Sequence, residues 1–156
     1  MSEEQTRRVR EYASKKGLEA EIRILSPDAT WTSALTAQAL GCTVAEIAKS
    51  ICFVDENTKT GIVVVLSGEK RVDVSKLSRL NHTSLRKMNA DEVKSITGYS
   101  IGGVPPFPHD SARVLIDQSL FRFEHVWAAA GASNAVMKIK PMILIEQGLS
   151  KVDVSE

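Results

Sequence analysis

The chain has 156 residues, a length typical of one domain, with 43% hydrophobic and 25% charged residues. Its formal net charge is +1, so no overall field draws it to DNA or to a membrane surface, and no apolar run approaches the roughly 20 residues of a membrane span. The polar N-terminus is not a signal peptide, and Cys42 and Cys52 form no CxxC pair. We therefore predict a single cytoplasmic domain over residues 1–156 with reduced thiols.

The first half of the chain alternates between helical and strand patterns. A weak helical stripe ends near Gly17, the alternating "AEIRILS" predicts a strand, and "SALTAQALGC" predicts a helix with Gly41 as its stop. Thr43 and Glu46 have the spacing of a capping box, which predicts a short helix from about Val44. The runs "SICFV" and "TGIVVVLSG" predict two strands joined by a hairpin-like loop.

The second half begins with residues 73–98, which we predict to be mostly helical. Asn89 and Glu92 mark a second helix start there, and Gly98 marks its end. The proline-rich "YSIGGVPPFPHDSA" predicts a loop. Three strands follow, at "RVLID", "EHVWAAA" and "AVMKIK", and "PMILIEQG" predicts a short helix. Because several strands are close enough in sequence to pair antiparallel, we predict one compact α+β domain.

Lys49 lies where a helical pattern gives way to strand formers, in "EIAKSICFV". If the helix continued through Lys49, its side chain would point into water, away from the apolar stripe. If a strand has already begun, Lys49, Ile51 and Phe53 share one face. A buried ammonium group in that row needs water, a partner or a ligand. The pattern by itself leaves both alternatives open.

Common catalytic and cofactor motifs are missing from the sequence. The histidines, His82, His109 and His125, form neither HExxH nor a pair at metal-ligand spacing. No GxSxG elbow, Walker loop or GxGxxG fingerprint occurs. We therefore expect no metal and no cofactor. The pair Gly102–Gly103 is either a rigid turn or a place where backbone N–H groups approach a ligand closely.

Basic residues are concentrated in one segment that contains a single acid, Asp73. The segment is either a solvated helical face or a shallow phosphate-binding patch. No aromatic residue falls inside it, which argues against a stacking platform for single-stranded bases. The candidate residues for contact with a phosphate backbone are Lys70, Arg71, Lys76, Arg79, Arg86 and Lys87.

Five stretches carry a resemblance to a known family: "TAQALGCTVAEIAKSICF", "VVVLSGEKRVDVSKL", "DEVKSITGYSIGGVPPF", "LIDQSLF" and "AAAGASNAVMKIKP". In this order, over about residues 5–154, they resemble the YbaK-type aminoacyl-tRNA deacylases, which include the editing domain inserted in bacterial prolyl-tRNA synthetases. Each stretch alone is weak, but their combination is specific. The resemblance implies a mixed, largely antiparallel, β-barrel-like sheet surrounded by helices.

The same resemblance implies a set of site residues. Lys49 matches the family's key lysine and is the candidate catalytic residue. The candidate substrate-binding residues are Trp31, Ser50, Gly102, Gly103, Val104, Pro106 and Asn134. One position departs from the family, which usually has glycine where this chain has Pro108. Because proline has no N–H and cannot take positive φ, we expect Pro108→Gly to change the rate or the amino-acid preference.

The implied activity is trans-editing: hydrolysis of the ester between a small, wrongly attached amino acid and the 3′ end of tRNA. Lys49 and the Gly102–Gly103 loop would position the substrate carbonyl, and the tRNA 2′-hydroxyl or the amino acid's own group would handle the proton. Cysteine, proline, alanine and serine esters all remain open. The partners implied are mischarged aminoacyl-tRNA and an aminoacyl-tRNA synthetase. The alternatives are a non-catalytic aminoacyl-tRNA or tRNA-binding module and a plain structural domain.

Overall fold

The computed structural model describes residues 2–156; Met1, which the sequence prediction includes in the domain, lies outside them. The helices are α1 Ser2–Lys16, α2 Ser33–Leu40, α3 Val74–Asn81, α4 Ala90–Thr97 and α5 Pro141–Glu146. The strands are β1 Glu21–Ile24, β2 Ile47–Asp55, β3 Gly61–Ser67, β4 Leu85–Lys87, β5 Ala112–Asp117, β6 Val126–Ala129, β7 Ala135–Ile139 and β8 Ser150–Val152. Short 3-10 turns occur at Pro27–Thr30, Val44–Glu46 and Gln118–Arg122.

All eight strands form one sheet in the order β1-β7-β6-β2-β3-β5-β8, with β4 paired to β2 beside β6. Four of its ladders are antiparallel, and β2–β6, β3–β5 and β5–β8 are parallel. The predicted α+β fold with a mixed, largely antiparallel sheet is confirmed. Within the described residues the sheet does not close into a barrel, because β1 and β8 each pair on one side only.

The centre of the sheet is also the centre of the core. Every residue of β3 is buried, and its β-branched run Ile62–Val65 suits a strand covered on both faces. The neighbouring β2 is buried at both ends but only half-buried from Lys49 to Ile51. This interruption in an otherwise buried strand marks the place where the sheet opens to a ligand-sized space.

Local signals in the sequence end the helices where we predicted. Gly41 adopts φ +71° after α2, and Gly98 adopts φ +81° after α4. Both capping boxes form, one from Thr43 to Glu46 and one from Asn89 to Glu92. The segment after Thr43 is a single 3-10 turn, so β2 begins immediately afterwards and contains Lys49.

Two short strands were not predicted. The segment 73–98 is not helical throughout, since β4 interrupts it, and β8 follows the last helix. Each has three residues and is held by pairing with a longer strand, β4 with β2 and β8 with β5. Within residues 2–156, no helix is long and apolar enough to cross a membrane.

Candidate active site around Lys49

Lys49 lies in the middle of the sheet, and the strand alternative for its orientation is the one the structure adopts. Its backbone pairs with Leu66 of β3, and the preceding Ala48 pairs with Ala128 of β6. The side chain shares a face with Ile51 and Phe53. Its Nζ lies 3.4 Å from the carbonyl oxygen of Gly68. The ammonium group therefore projects from a backbone fixed on both sides.

The charge of Lys49 is not neutralised by the protein. Among the described residues, no carboxylate forms an ion pair with it. Partial burial lowers the pKa of Lys49 below the usual value, and the nearby charges of Arg71 and Lys87 lower it further. A half-buried cation with cationic neighbours favours an anionic or strongly dipolar ligand.

A cavity of about 280 Å³, here called the Lys49 cavity, opens beside this side chain. Its floor comes from β2 and the neighbouring strand β6, and one wall comes from α2 and the turn before it. Two loops, 101–102 and the turn at Ser133, complete the mouth. The lining residues used below are Thr30, Trp31, Thr36, Lys49, Ser50, Ile101, Gly102, Trp127 and Ser133.

Several hydroxyl groups of this cavity already donate to backbone carbonyls. Thr30 Oγ1 donates to Pro27 at 3.0 Å, and Thr36 Oγ1 donates to Thr32 at 3.0 Å. Because a hydroxyl has one proton to donate, these walls present methyl groups and acceptor lone pairs to the cavity. The lining is therefore more apolar in character than its threonine content indicates.

The glycine loop forms a turn in which Gly103 N–H donates to the Ser100 carbonyl at 2.9 Å. Gly102 has φ +84°, a conformation that side chains rarely adopt. Gly103 N–H is thus committed to the turn and is not free to donate to a ligand. In the described hydrogen bonds Gly102 N–H has no acceptor, so it is the amide that remains to donate.

A second loop supports the first from behind. Gly131 N–H donates to the Gly103 carbonyl at 2.9 Å, and a Cβ on Gly103 would lie 2.8 Å from the Gly131 carbonyl oxygen. Only glycine therefore fits at position 103. The same second loop places Ser133 at the cavity mouth, where a Cβ on Gly102 would lie 3.5 Å from Ser133 Cβ.

The other predicted loop residues have supporting positions. Val104 is 1% exposed and its carbonyl accepts the Ser50 hydroxyl at 2.9 Å, while Pro106 is also buried. Neither belongs to the lining of the Lys49 cavity. Val104 attaches this loop to β2, because its carbonyl accepts the hydroxyl of Ser50 on that strand.

Trp31 and Asn134 lie in different settings. Trp31 is 77% exposed and stands at the mouth of the Lys49 cavity. Asn134 lies apart from this cavity, beside Thr6 of α1 in a separate surface depression. Its side-chain amide donates to the Leu25 carbonyl at 2.9 Å, which ties the 130–135 loop to the end of β1.

Pro108, the departure from the family pattern, is exposed and lies outside the Lys49 cavity. It lines a surface groove together with Tyr99 and His109. His109 contacts the Pro105 carbonyl at 3.0 Å, and burial lowers the pKa of His109. The missing amide of Pro108 therefore faces a different surface from the one that Lys49 faces.

The structure divides the six basic candidates among several surfaces. Arg71, Arg86 and Lys87 join Lys49 in a space of about 460 Å³, here called the first basic cavity. Lys70 and Lys76 line a separate space, and Arg79 lines neither. Arg86 is ion-paired with both Glu56 and Glu92, as their carboxylate oxygens lie 2.5 and 2.8 Å away.

Sequence reasoning missed Thr36, Trp127 and Ser133 as cavity residues. Ser133 could have been predicted, because it lies in the "AGASN" stretch from which only Asn134 was selected. Nothing in the sequence indicates that α2 packs beside β2 with Thr36 facing inward. Among the described residues, the Lys49 cavity contains no Asp, Glu or His, and no cluster of three metal-ligating side chains occurs.

Comparison with known proteins assigns the chain to a family. The aminoacyl-tRNA editing domain family matches residues 28–146, which contain Lys49 and both loops. The chain is 36% identical over 118 residues to the uncharacterized protein YwhH of Bacillus subtilis, covering 74% of each. It is 28% identical over 104 residues to the proline–tRNA ligase of Lactobacillus acidophilus, of which it spans only 18%.

Solved structures agree over nearly the whole chain. One, described as a "putative trans-editing enzyme for prolyl tRNA synthetase", superposes with a TM-score of 0.88 at 33% identity over 97% of both chains. Another, the hypothetical protein APE2540, gives 0.85 at 31% identity over 95% of this chain and 99% of that one. Together with the match of the family model over residues 28–146, these likenesses show that the chain belongs to the aminoacyl-tRNA editing domain family.

Proposed function

We propose that this protein is a trans-editing deacylase that hydrolyses the ester bond of mischarged aminoacyl-tRNA carrying a small amino acid. One observation carries the proposal. The uncompensated ammonium group of Lys49 lines both the Lys49 cavity of about 280 Å³ and the first basic cavity of about 460 Å³, which Arg71, Arg86 and Lys87 also line. An ester between an amino acid and an RNA end has two parts that match these cavities: a small side chain for the Lys49 cavity and a polyanion for the first basic cavity.

Lys49 would act on the ester carbonyl. Attack on the ester places negative charge on the carbonyl oxygen, and a fixed cation in a partly desolvated place stabilises that charge. The strand on which Lys49 lies is paired on both sides, which fixes its backbone, and the Gly68 carbonyl oxygen, 3.4 Å from Nζ, orients the ammonium group. One such donor is typically worth about 2.7–4 kcal/mol in the transition state.

Gly102 N–H would be the second donor to the same oxygen. Its amide is the one left over by the glycine turn, and Gly102 lines the Lys49 cavity. Because Gly103 N–H is used inside the turn, we assign one backbone donor rather than two. Ser50, Val104 and Pro106 would position this amide from below.

The proton would be handled by the substrate. The Lys49 cavity offers no carboxylate or imidazole among its described residues, so a protein general base at the ester is not apparent. The 2′-hydroxyl next to the ester, or the amino group of the amino acid, is within reach of the attacking water in any such substrate. We propose that one of them takes the proton of the attacking water and passes a proton to the departing 3′ oxygen as the ester C–O bond breaks, which gives the free amino acid and the 3′-hydroxyl of the tRNA.

A small, apolar side chain fits the cavity best. A space of about 280 Å³ is small, and the hydroxyl protons of Thr30, Thr36 and Ser50 are used on backbone carbonyls. An alanine methyl group has no polar atom to desolvate on entering this space, whereas a serine hydroxyl gives up its water and must find new partners. Since a synthetase pocket discriminates one methylene by only about 1–3 kcal/mol, a second, size-limited pocket removes small errors. We propose alanine-sized esters in preference to serine.

The test is single-turnover hydrolysis of tRNAs charged with alanine, serine, cysteine or proline, by wild type and by Lys49→Ala. We expect the alanine ester to be hydrolysed fastest, and the mutant to lose about 10²–10³-fold in rate. The matched control is Lys138→Ala, on the exposed side of β7, which should keep the wild-type rate. The same assay with proline–tRNA ligase added then shows whether that enzyme changes the rate of ester hydrolysis.

Hydrolysis that survives Lys49→Ala would contradict the assigned mechanism. Tight tRNA binding without hydrolysis of any ester would instead make the protein a binding module. The lack of hydrolysis would then be explained by the glycine turn, which leaves only the Gly102 N–H free to donate to the ester.

A further inference from the structure

A second basic cavity, of about 530 Å³, lies on the far side of the segment 69–72 from the first. Its four cations come from four separate parts of the fold: the loop after β3, helix α3, the 3-10 turn after β5, and strand β8. They are Lys70, Lys76, Arg122 and Lys151. Two of them, Arg122 and Lys151, lie outside the basic segment that the sequence indicates. Folding therefore brings together positive charges that are far apart in the sequence.

The four cations differ in how far the protein neutralises them. Lys76 pairs with Asp153 at 3.4 Å and donates to the Ser155 carbonyl, and Arg122 pairs with Glu69 at 2.7 Å. These two hold the cavity walls together. Lys70 and Lys151 form no ion pair among the described residues. They are the charges left for a ligand, although Asp153 and Glu156 also line the space.

The two basic cavities and the Lys49 cavity adjoin one another. Lys49 and Ile51 line both the Lys49 cavity and the first basic cavity. Glu156 lines both basic cavities, and its N–H donates to the Arg71 carbonyl at 2.9 Å. The consecutive residues Lys70 and Arg71 line opposite cavities, as side chains alternate along extended backbone. The three spaces are therefore contiguous, and the residue shared by the two basic cavities, Glu156, is acidic, so a polyanion would have to pass beside its carboxylate.

The second basic cavity lacks a platform for unpaired bases. Its one aromatic residue, Phe121, is covered by the ammonium group of Lys151, which lies 4.6 Å from the ring centroid. Single-stranded nucleic acids usually bind through stacking on aromatic faces. Charge without stacking is typical of contact with the sugar–phosphate backbone of a duplex.

We propose that the second basic cavity binds the backbone of the RNA duplex that adjoins the 3′ end held at Lys49. This inference rests on the proposed function for the identity of the RNA. It assigns Lys70 and Lys151 to phosphate contact. It also removes Arg79, which lines neither cavity, and Arg86, which is held by two carboxylates, from the set indicated by the sequence.

The experiment measures binding of two uncharged RNAs as a function of salt. One is a hairpin with the acceptor-stem duplex and its single-stranded 3′ end, and the other is the single-stranded 3′ end alone. The variants are Lys70→Gln and Lys151→Gln, with Arg79→Gln as the control of equal charge change. Thermal unfolding of each variant checks that the fold is retained.

We expect Lys70→Gln and Lys151→Gln each to weaken hairpin binding about threefold or more at low salt. Each should also reduce the slope of log K against log salt by about one. Binding of the single strand should stay at the wild-type value, and Arg79→Gln should match wild type on both RNAs. Equal losses on both RNAs, or an unchanged hairpin slope, would overturn the proposal.

Because neither RNA carries an ester, this result is independent of catalysis. Duplex-specific losses in a protein that hydrolyses no ester would contradict the deacylase function and leave the duplex site standing. Hydrolysis that depends on Lys49, with hairpin binding unaffected by Lys70→Gln and Lys151→Gln, would support the deacylase function and contradict the duplex site.

Discussion

The hydroxyl of Ser50 donates to the carbonyl oxygen of Val104 at 2.9 Å, joining the strand that carries Lys49 to the loop that carries Gly102. Val104 is 1% exposed, so Ser50→Ala would leave a buried acceptor without a partner. We expect a loss of about 1–3 kcal/mol in the free energy of unfolding, together with a lower kcat. Ser50→Thr keeps the donor and should recover part of both.

Denaturant unfolding and single-turnover rates measure these effects. Thr30→Ala is the matched control, because its hydroxyl lines the same cavity but bonds to an exposed carbonyl. It should change stability by no more than about 0.5 kcal/mol. Equal losses in Ser50→Ala and Thr30→Ala would contradict the positioning role of Ser50.

Substitutions at Gly102 and Gly148 can be compared to separate the effect of backbone strain on stability from an effect on ester hydrolysis. Their φ values are +84° and +87°, and neither would bring a Cβ into a close contact. Gly102→Ala and Gly148→Ala should therefore each cost about 1–2 kcal/mol of stability. Only Gly102→Ala should also lower the rate of ester hydrolysis, since only Gly102 lines the Lys49 cavity. A similar loss of rate in both variants would show that the effect is one of stability.

Lys49 opposes folding when it is charged. Its folded-state pKa is lowered by burial and then by Arg71 and Lys87, so the unfolded chain binds this proton more tightly. The penalty is complete below the folded-state pKa and disappears as pH rises from there towards the usual value of 10.5. We expect Lys49→Met to have a Tm at pH 7 equal to or above that of wild type while hydrolysis is lost.

The difference in Tm between wild type and Lys49→Met should narrow at pH 10. Lys138→Met is the control, because the charge of Lys138 lowers the pKa of Glu46, a favourable attraction, and its removal should not raise the Tm. A Tm several degrees below wild type for Lys49→Met would refute the assignment of Lys49 as a functional, destabilising cation.

Trp31 tests whether the mouth of the cavity contributes to binding. Its ring is 77% exposed, so Trp31→Ala should alter stability by no more than about 0.5 kcal/mol. We expect a raised KM for the charged tRNA with a smaller effect on kcat. Met142→Ala, which removes another exposed apolar side chain, should change neither constant. An unchanged KM in Trp31→Ala would exclude the ring from substrate binding.

Pro108→Gly addresses the departure from the family pattern. The sequence led us to expect a changed rate or amino-acid preference, but Pro108 is exposed and faces the groove of Tyr99 and His109. We now expect the wild-type order of preference among amino-acid esters. A reordered preference, measured on the same panel of charged tRNAs, would mean that this groove communicates with the Lys49 cavity.

Local signals were predictable from the sequence because they depend on few residues. The two capping boxes and the stops at Gly41 and Gly98 need only short-range hydrogen bonds and positive φ. Strands β4 and β8 were not, because three residues carry no periodicity and exist only through their longer partners. Whether the sheet closes into a barrel could not be predicted either, because it depends on which strands remain unpaired at the edges.

The site shows the same limit. Lys49 and the glycine pair could be found because a family resemblance marks them. The commitment of Gly103 N–H to a turn could not, as it depends on the φ of Gly102. The second basic cavity is the clearest case, because Arg122 and Lys151 meet Lys70 only after β5 and β8 have paired.

Helix α2 has a consequence for how such a protein diversifies. Only Thr36 and Ala37 of this helix are buried, whereas Lys49 stands on a strand paired on both sides. Substitutions on this helix can reshape one wall of the Lys49 cavity without disturbing the strand that holds the cation. Under the proposed function, amino-acid selectivity could therefore change between relatives while the catalytic cation stays in place.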